Sequence, residues 1–167
     1  NNIGNYYGER GRPDSCIAYL DSSLVIFEQV RHEPGIASSL LNLGQSYADQ
    51  GHPAEALEYL LRCEKSFDPT STDRTFGVCL NNIGSIYLHQ GLLDEALSYF
   101  HHALDIALGH GDILAEATAR TNVGDVLNDQ GEYDMALAEY EKCLVVHTPF
   151  RDRSGEAVPL QRVQRAR

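Results

Sequence analysis

"LNLGQSYADQGHPAEALEYL" (Leu41–Leu60) holds two short amphipathic stretches parted by Gln50-Gly51-His52. Forty residues on stands "NNIGSIYLHQGLLDEALSYF" (Asn81–Phe100), and forty further "TNVGDVLNDQGEYDMALAEY" (Thr121–Tyr140). The chain opens on "NNIG" (Asn1–Gly4), one period ahead of the first of these. Stacked in forties, the residues fall into columns: Gly4, Gly44, Gly84 and Gly124; Gly11, Gly51, Gly91 and Gly131; Tyr7, Tyr47, Tyr87 and Leu127. Cys16, Ala56, Ala96 and Ala136 form another, as do Leu20, Leu60, Phe100 and Tyr140. A fixed period with this much register marks a tandem array of supersecondary units.

Each period predicts two helices. In the third unit Leu80, Ile83, Ile86 and Tyr87 recur at three- and four-residue steps, one stripe of a helix. Gly91 breaks that stripe. A second runs through Leu93, Ala96, Leu97, Phe100, Ala103, Leu104 and Leu108, and "GHGD" (Gly109–Asp112) ends it, with Asp112 the expected N-cap of the next helix. In the second unit Pro53 stands where it can open a helix, and "DPTSTD" (Asp68–Asp73) is the turn between units. No segment alternates with period two, so no strand is expected. A mid-helix glycine costs about 1 kcal/mol relative to alanine. The Gly44 column is therefore expected to serve close helix approach, with the Leu60, Phe100 and Tyr140 column lying over it.

The columns resemble the tetratricopeptide repeat, whose signature is a large apolar residue, L-G-x2-Y, A-x3-F and a late proline. The second unit supplies Leu40, Leu43-Gly44, Tyr47, Ala56 and Leu60, and the third Leu80, Ile83-Gly84, Tyr87, Ala96 and Phe100. In the fourth, Val123-Gly124, Ala136 and Tyr140 hold, while Arg120 and Leu127 depart. The resemblance implies an all-α, right-handed superhelical solenoid of helix-turn-helix repeats over residues 1–148. Its units are about 1–32 (clipped at its start), 33–72, 73–112 and 113–148. The family's usual period is 34. Because Gly44 and Ala56 keep the family's spacing, the extra length is expected in a longer second helix and its turn. Such longer repeats resemble those of Pins-type polarity scaffolds and of bacterial multidomain regulators. Residues 149–167 read as a basic tail, a decayed or truncated fifth repeat. A frameshift or an artificial boundary would leave the same ending.

Net charge is −11, and its sign disfavours nucleic acid and anionic membrane as partners. The charge is uneven: residues 1–146 carry −14, while residues 147–167 carry +3, with arginines at 151, 153, 162, 165 and 167. No apolar run approaches the roughly 20 residues of a membrane span. Cys16, Cys63, Cys79 and Cys143 show no C-x-x-C pair, which predicts reduced core residues of a cytoplasmic protein. Cys79 is expected to be the first of them to react.

Seven histidines invite a search for metal or catalytic chemistry. His101 and Asp105 lie one turn apart, but His102 points elsewhere and a third ligand is missing, so no metal or other cofactor is expected. No H-E-x-x-H, phosphate loop, nucleophile elbow or calcium loop occurs, which speaks against an enzyme. The acidic Asp94-Glu95 pair, and Asp14, fit first turns of helices.

The stripe opposite the apolar one on each first helix is the expected binding groove. It holds Asn42, Gln45 and Asp49, then Asn82, Ser85 and His89, then Asn122, Asp125 and Asp129, with Asn2, Asn5 and Glu9 continuing it in the first unit. Asn2, Asn42, Asn82 and Asn122 form a column of their own. The basic clamp by which some tetratricopeptide domains hold a terminal carboxylate is missing. These readings point to a protein-interaction module, the docking or sensing part of a larger regulator. Its partner would be a neutral or basic extended peptide or a helix. A structural spacer or self-association unit is the competing reading. The sequence leaves the oligomeric state open.

Overall fold

A computed structural model describes residues 13–147, with side chains from Cys16 to Cys143. Seven helices and no strand occur among the described residues: α1 Pro13–Gln29, α2 Glu33–Asp49, α3 Pro53–Lys65, α4 Arg74–His89, α5 Leu93–His110, α6 Ile113–Asp129 and α7 Tyr133–His147. The fold is all-α, a tandem series of helix-turn-helix repeats of the solenoid class. The expected clipped helix before α1, the column members Gly4, Tyr7 and Gly11, and the tail 149–167 lie outside the described residues.

The chain forms two compact units, Asn1–Ile86 and Tyr87–Arg167. In the first, α2 packs against α1 and α3. Leu20, Leu40, Leu43, Leu60, Phe76, Leu80 and Ile83 are buried there. In the second, α6 packs against α5 and α7 around Ala96, Phe100, Val123, Val126, Leu127, Ala136 and Tyr140. These are the apolar stripes expected from the periodicity, with one correction. Leu108 is exposed, and Ile106 and Ala107 are buried in its place. Leu108 stands in the last turn of α5, where the buried face continues through Ala107, three residues after Leu104, and Leu108 falls to its side.

The two glycine columns have different causes. A Cβ on Gly44 would stand 2.5 Å from Leu60 Cγ and 2.8 Å from its Cδ2, and one on Gly124 would strike the ring of Tyr140. The helices approach until the large residue of the second helix rests on the bare backbone of the first. The second column is about dihedral angles. Gly51, Gly91 and Gly131 have φ of +78°, +76° and +85°, the left-handed region that L side chains avoid. Each closes a Schellman motif. After α2, His52 N–H donates to Tyr47 C=O at 2.9 Å and Gly51 N–H to Ala48 C=O at 3.0 Å. The same pair of bonds recurs after α4, from Leu92 to Tyr87 and Gly91 to Leu88, and after α6, from Glu132 to Leu127 and Gly131 to Asn128.

Helix starts follow the sequence as read. Asp112 Oδ1 accepts from Ala115 N–H at 3.2 Å, Pro53 opens α3, and Asp94 and Glu95 lie in the first turn of α5. The extra residues of the long period are used in two ways. They lengthen α5 to 18 residues, but α3 has only 13, and the surplus there forms the turn through Asp68 and Asp73. In that turn Asp68 Oδ1 accepts from Thr70 N–H at 2.8 Å and from its hydroxyl at 2.6 Å, and Asp73 Oδ1 accepts from Thr75 N–H at 2.7 Å. These short-range bonds compete with helix continuation.

All four cysteines are free and buried. The Cys63 thiol donates to Ala37 C=O at 3.4 Å, and Cys143, two periods later, to Ala117 C=O at 3.5 Å. Cys79 corrects the expectation that it reacts first: it is 0% exposed, against 6% for Cys16. Its thiol donates to Leu60 C=O at 3.2 Å. The neighbouring Cys63 and burial together push the ionisation of Cys79 far upward.

Candidate functional site

The stripe opposite each apolar stripe follows from helix geometry, since residues three and four apart share a face. In the first unit Asn42, Gln45 and Asp49 lie on α2, and Asn82 and Ser85 on α4. Asn42, Asn82 and Ser85 are half-buried; Gln45 and Asp49 are exposed. Gln45 Nε2 donates to Asp49 Oδ1 at 2.8 Å, which ties those two together. Ser85 turns its hydroxyl back to Asn81 C=O at 3.0 Å. The amides of Asn42 and Asn82 hydrogen-bond to no other side chain among the described residues.

In the second unit His89 is exposed in the last turn of α4, Asn122 and Asp125 are half-buried on α6, and Asp129 is exposed at its end. Asp125 is committed inward. Tyr140 O–H donates to its Oδ1 at 2.8 Å, because a tyrosine in the Leu60 and Phe100 column brings a hydroxyl that needs an acceptor. Asn122 is also engaged within the chain. Of the expected face residues, Asn2, Asn5 and Glu9 lie outside the described residues.

Two features were not singled out in the sequence. In each of the middle repeats the Tyr47-column ring stacks on a second tyrosine: Tyr47 on Tyr59 with centroids 5.3 Å apart, Tyr87 on Tyr99 at 5.5 Å. Tyr59 O–H also points to Asp21 Oδ1 at 3.5 Å. Burial, helped by the charge of Asp21, pushes its pKa up to about 12, so the phenol stays a donor. The fourth repeat replaces that pair with ions. Arg120 donates to Glu116 Oε1 at 2.8 Å and to Glu139 Oε2 at 2.9 Å, and Lys142 Nζ lies 2.6 Å from Glu139 Oε1. Arg120 was the visible departure. Glu116 and Glu139 depart at the places of Phe76 and Tyr99, and that joint departure was the available signal.

Among the described residues no three metal-ligating side chains converge, and no helix is long and apolar enough to cross a membrane. His101 and Asp105 are exposed.

A family model described as tetratricopeptide repeat matches residues 1–67 and 78–152. No curated protein matches the sequence. Solved structures do. BtubC (BKLC) from P. vanneervenii is similar with a TM-score of 0.85 at 15% identity, over 98% of this chain and 70% of that one. A Podosopora anserina protein assigned as a kinesin light chain, with nearly identical TPR-like repeats, gives 0.76 at 15% identity, over 99% and 80%. MamA gives 0.70 at 22% identity, over 98% and 82%. At these identities the likeness is one of fold.

Proposed function

The chain belongs to the tetratricopeptide-repeat family, generally a family of protein-interaction modules, and from that premise we propose that it binds a partner polypeptide along the polar faces of its first helices. The ligand is an extended peptide or a helix, neutral or basic, and the chain serves as the non-catalytic docking part of a regulatory protein. One observation supports this best. Asn42 and Asn82 hold equivalent places in the middle of α2 and α4, half-buried, without a side-chain hydrogen bond among the described residues. Asparagine is up to about 0.7 kcal/mol worse than alanine inside a helix, so a use is needed to offset that cost. A primary amide both donates and accepts, and so pairs with the N–H and C=O of a ligand's main chain without selecting its side chains. Gln45, Asp49 and Ser85, on the same helices of the first unit, then give specificity. Were the amides mortar inside the fold, hydrogen bonds to neighbouring side chains would be expected at both positions.

The test uses the full chain. Peptides selected on it from a random display library are titrated against wild type and against Asn42→Ala/Asn82→Ala. Affinity is expected to fall more than about tenfold, a loss of about 1.4 kcal/mol or more, with the melting temperature held or slightly raised. A double variant that melts sharply lower, and whose folded fraction binds as wild type does, makes the amides structural and overturns the reading.

A further inference from the structure

In the first unit, between the middle of α1 and the turn joining α2 to α3, lies a hollow of about 320 Å3, open to solvent along His52 and Glu55. Ile17 and Asp21 of α1 form one wall, and Tyr47, Gln50, His52 and Glu55 the other. None of the three residues of the α2 face, Asn42, Gln45 and Asp49, is among them. We infer that this hollow takes the guanidinium of an arginine side chain carried by the partner polypeptide.

Size comes first. Cavities that hold drug-sized ligands run from about 300 to 1,000 Å3, and this one stands at the lower end, the room of a single long side chain. Charge comes second. Asp21 and Glu55 bring carboxylates from two different helices, and no lysine or arginine lines the space. A guanidinium presents five N–H groups in one plane and so reaches acceptors on two sides, where an ammonium is a compact, strongly hydrated point charge. The third element is aromatic. Tyr47 is fixed against Tyr59 with an interplanar angle of 8°, and a held ring is a favourable neighbour for a planar cation. The fourth is Gln50, whose Nε2 is buried and has no acceptor among the described residues. A bare cation gives that amide nothing. The main-chain carbonyl beside an arginine gives it an acceptor, and an orphaned buried donor is costly to leave. The assignment deepens the protein-binding reading, and rests on it for the occupant being a polypeptide.

The probe is N-acetyl-arginine methylamide, titrated into the isotope-labelled full chain and followed by NMR. Saturable shifts are expected at the Gln50 side-chain amide and at His52. The citrulline counterpart, which keeps the shape and loses the charge, should bind at least about tenfold more weakly, and Glu55→Gln should weaken the arginine probe severalfold. Glu55 is half-exposed, with only His52 at 3.8 Å from its carboxylate, so this variant keeps the fold; Asp21→Asn is the second. Equal binding of the arginine and citrulline probes, or shifts confined to α4 or α6, overturns the assignment, as does undiminished binding by both variants. So does a selected-peptide pool without arginine, which removes the polypeptide occupant. The Asn42 and Asn82 variants read a different face, so failure there is distinguishable from failure here.

Discussion

Ser39 is fully buried, and its hydroxyl has no partner among the described residues. A helical serine ordinarily bonds back to the carbonyl one turn earlier, as Ser22, Ser23 and Ser85 do here. One and two periods on, the same place holds Cys79 and Ala119, both buried. An unpaired buried hydroxyl costs about 1–3 kcal/mol in desolvation. Ser39→Ala is therefore expected to leave stability unchanged or raise it by up to about 1 kcal/mol, read as the urea midpoint at constant slope. A clear loss would show that the hydroxyl has a partner after all. Legibility at this scale was mixed. The Gly44 column could be read as close approach because its large counterpart recurs at the same period. The placement of Cys79 could not, since its distance from the helix start says nothing of what α3 lays over it.

At the scale of elements, the turns carry the plainest physics. Five helix ends close by the same two bonds, and four of them put glycine in the left-handed position. The fifth puts Arg31 there, at φ 52°, two periods before Gly111 at φ 61°. A left-handed L residue costs about 1–2 kcal/mol, and Arg31 is exposed, so little packing offsets it. Arg31→Gly is expected to stabilise the chain by about 1 kcal/mol in chemical unfolding, less glycine's extra freedom in the unfolded state. Gly111→Ala should move stability the other way. The ion cluster between α6 and α7 gives a second handle. Burial alone would raise the Glu139 carboxyl, but hydrogen bonds from Lys142 and Arg120 outweigh it and hold it below the ordinary glutamate range. A depressed folded value means the stabilisation is complete above the unfolded glutamate value. It is lost as pH falls through the depressed one. Wild type should lose stability across that acid range, and Arg120→Leu, which restores the residue type of Leu40 and Leu80, should start lower at neutral pH and lose less. An unchanged acid slope in the variant would remove the cluster as its source. The helices were legible from periodicity. The split of the extra residues between a longer α5 and a longer turn was not, because it rests on Asp68 and Asp73 capturing backbone N–H groups.

For the whole molecule the period is legible over residues 1–148, yet the division at Ile86 and Tyr87 is not. The columns run through Asn81–Phe100 without a break, so nothing in the spacing marks it. Charge is the other property that belongs to the chain as a whole. Residues 1–146 carry −14, a field that attracts basic ligands before any contact forms and repels acidic ones. Screening shortens its reach to about 10 Å at 0.1 M salt and about 3 Å at 1 M. Peptides selected on the chain should therefore lean basic, and their association rates should fall steeply between 0.05 and 0.5 M salt, about tenfold for ligands of several positive charges, while dissociation rates move less. The amide pairing proposed for Asn42 and Asn82 is neutral and short-ranged, so their removal should act on dissociation instead. Stopped-flow measurement of both rates separates the two contributions. Association that ignores salt, or acidic peptides bound as tightly as basic ones, would mean that net charge plays no part in choosing the partner.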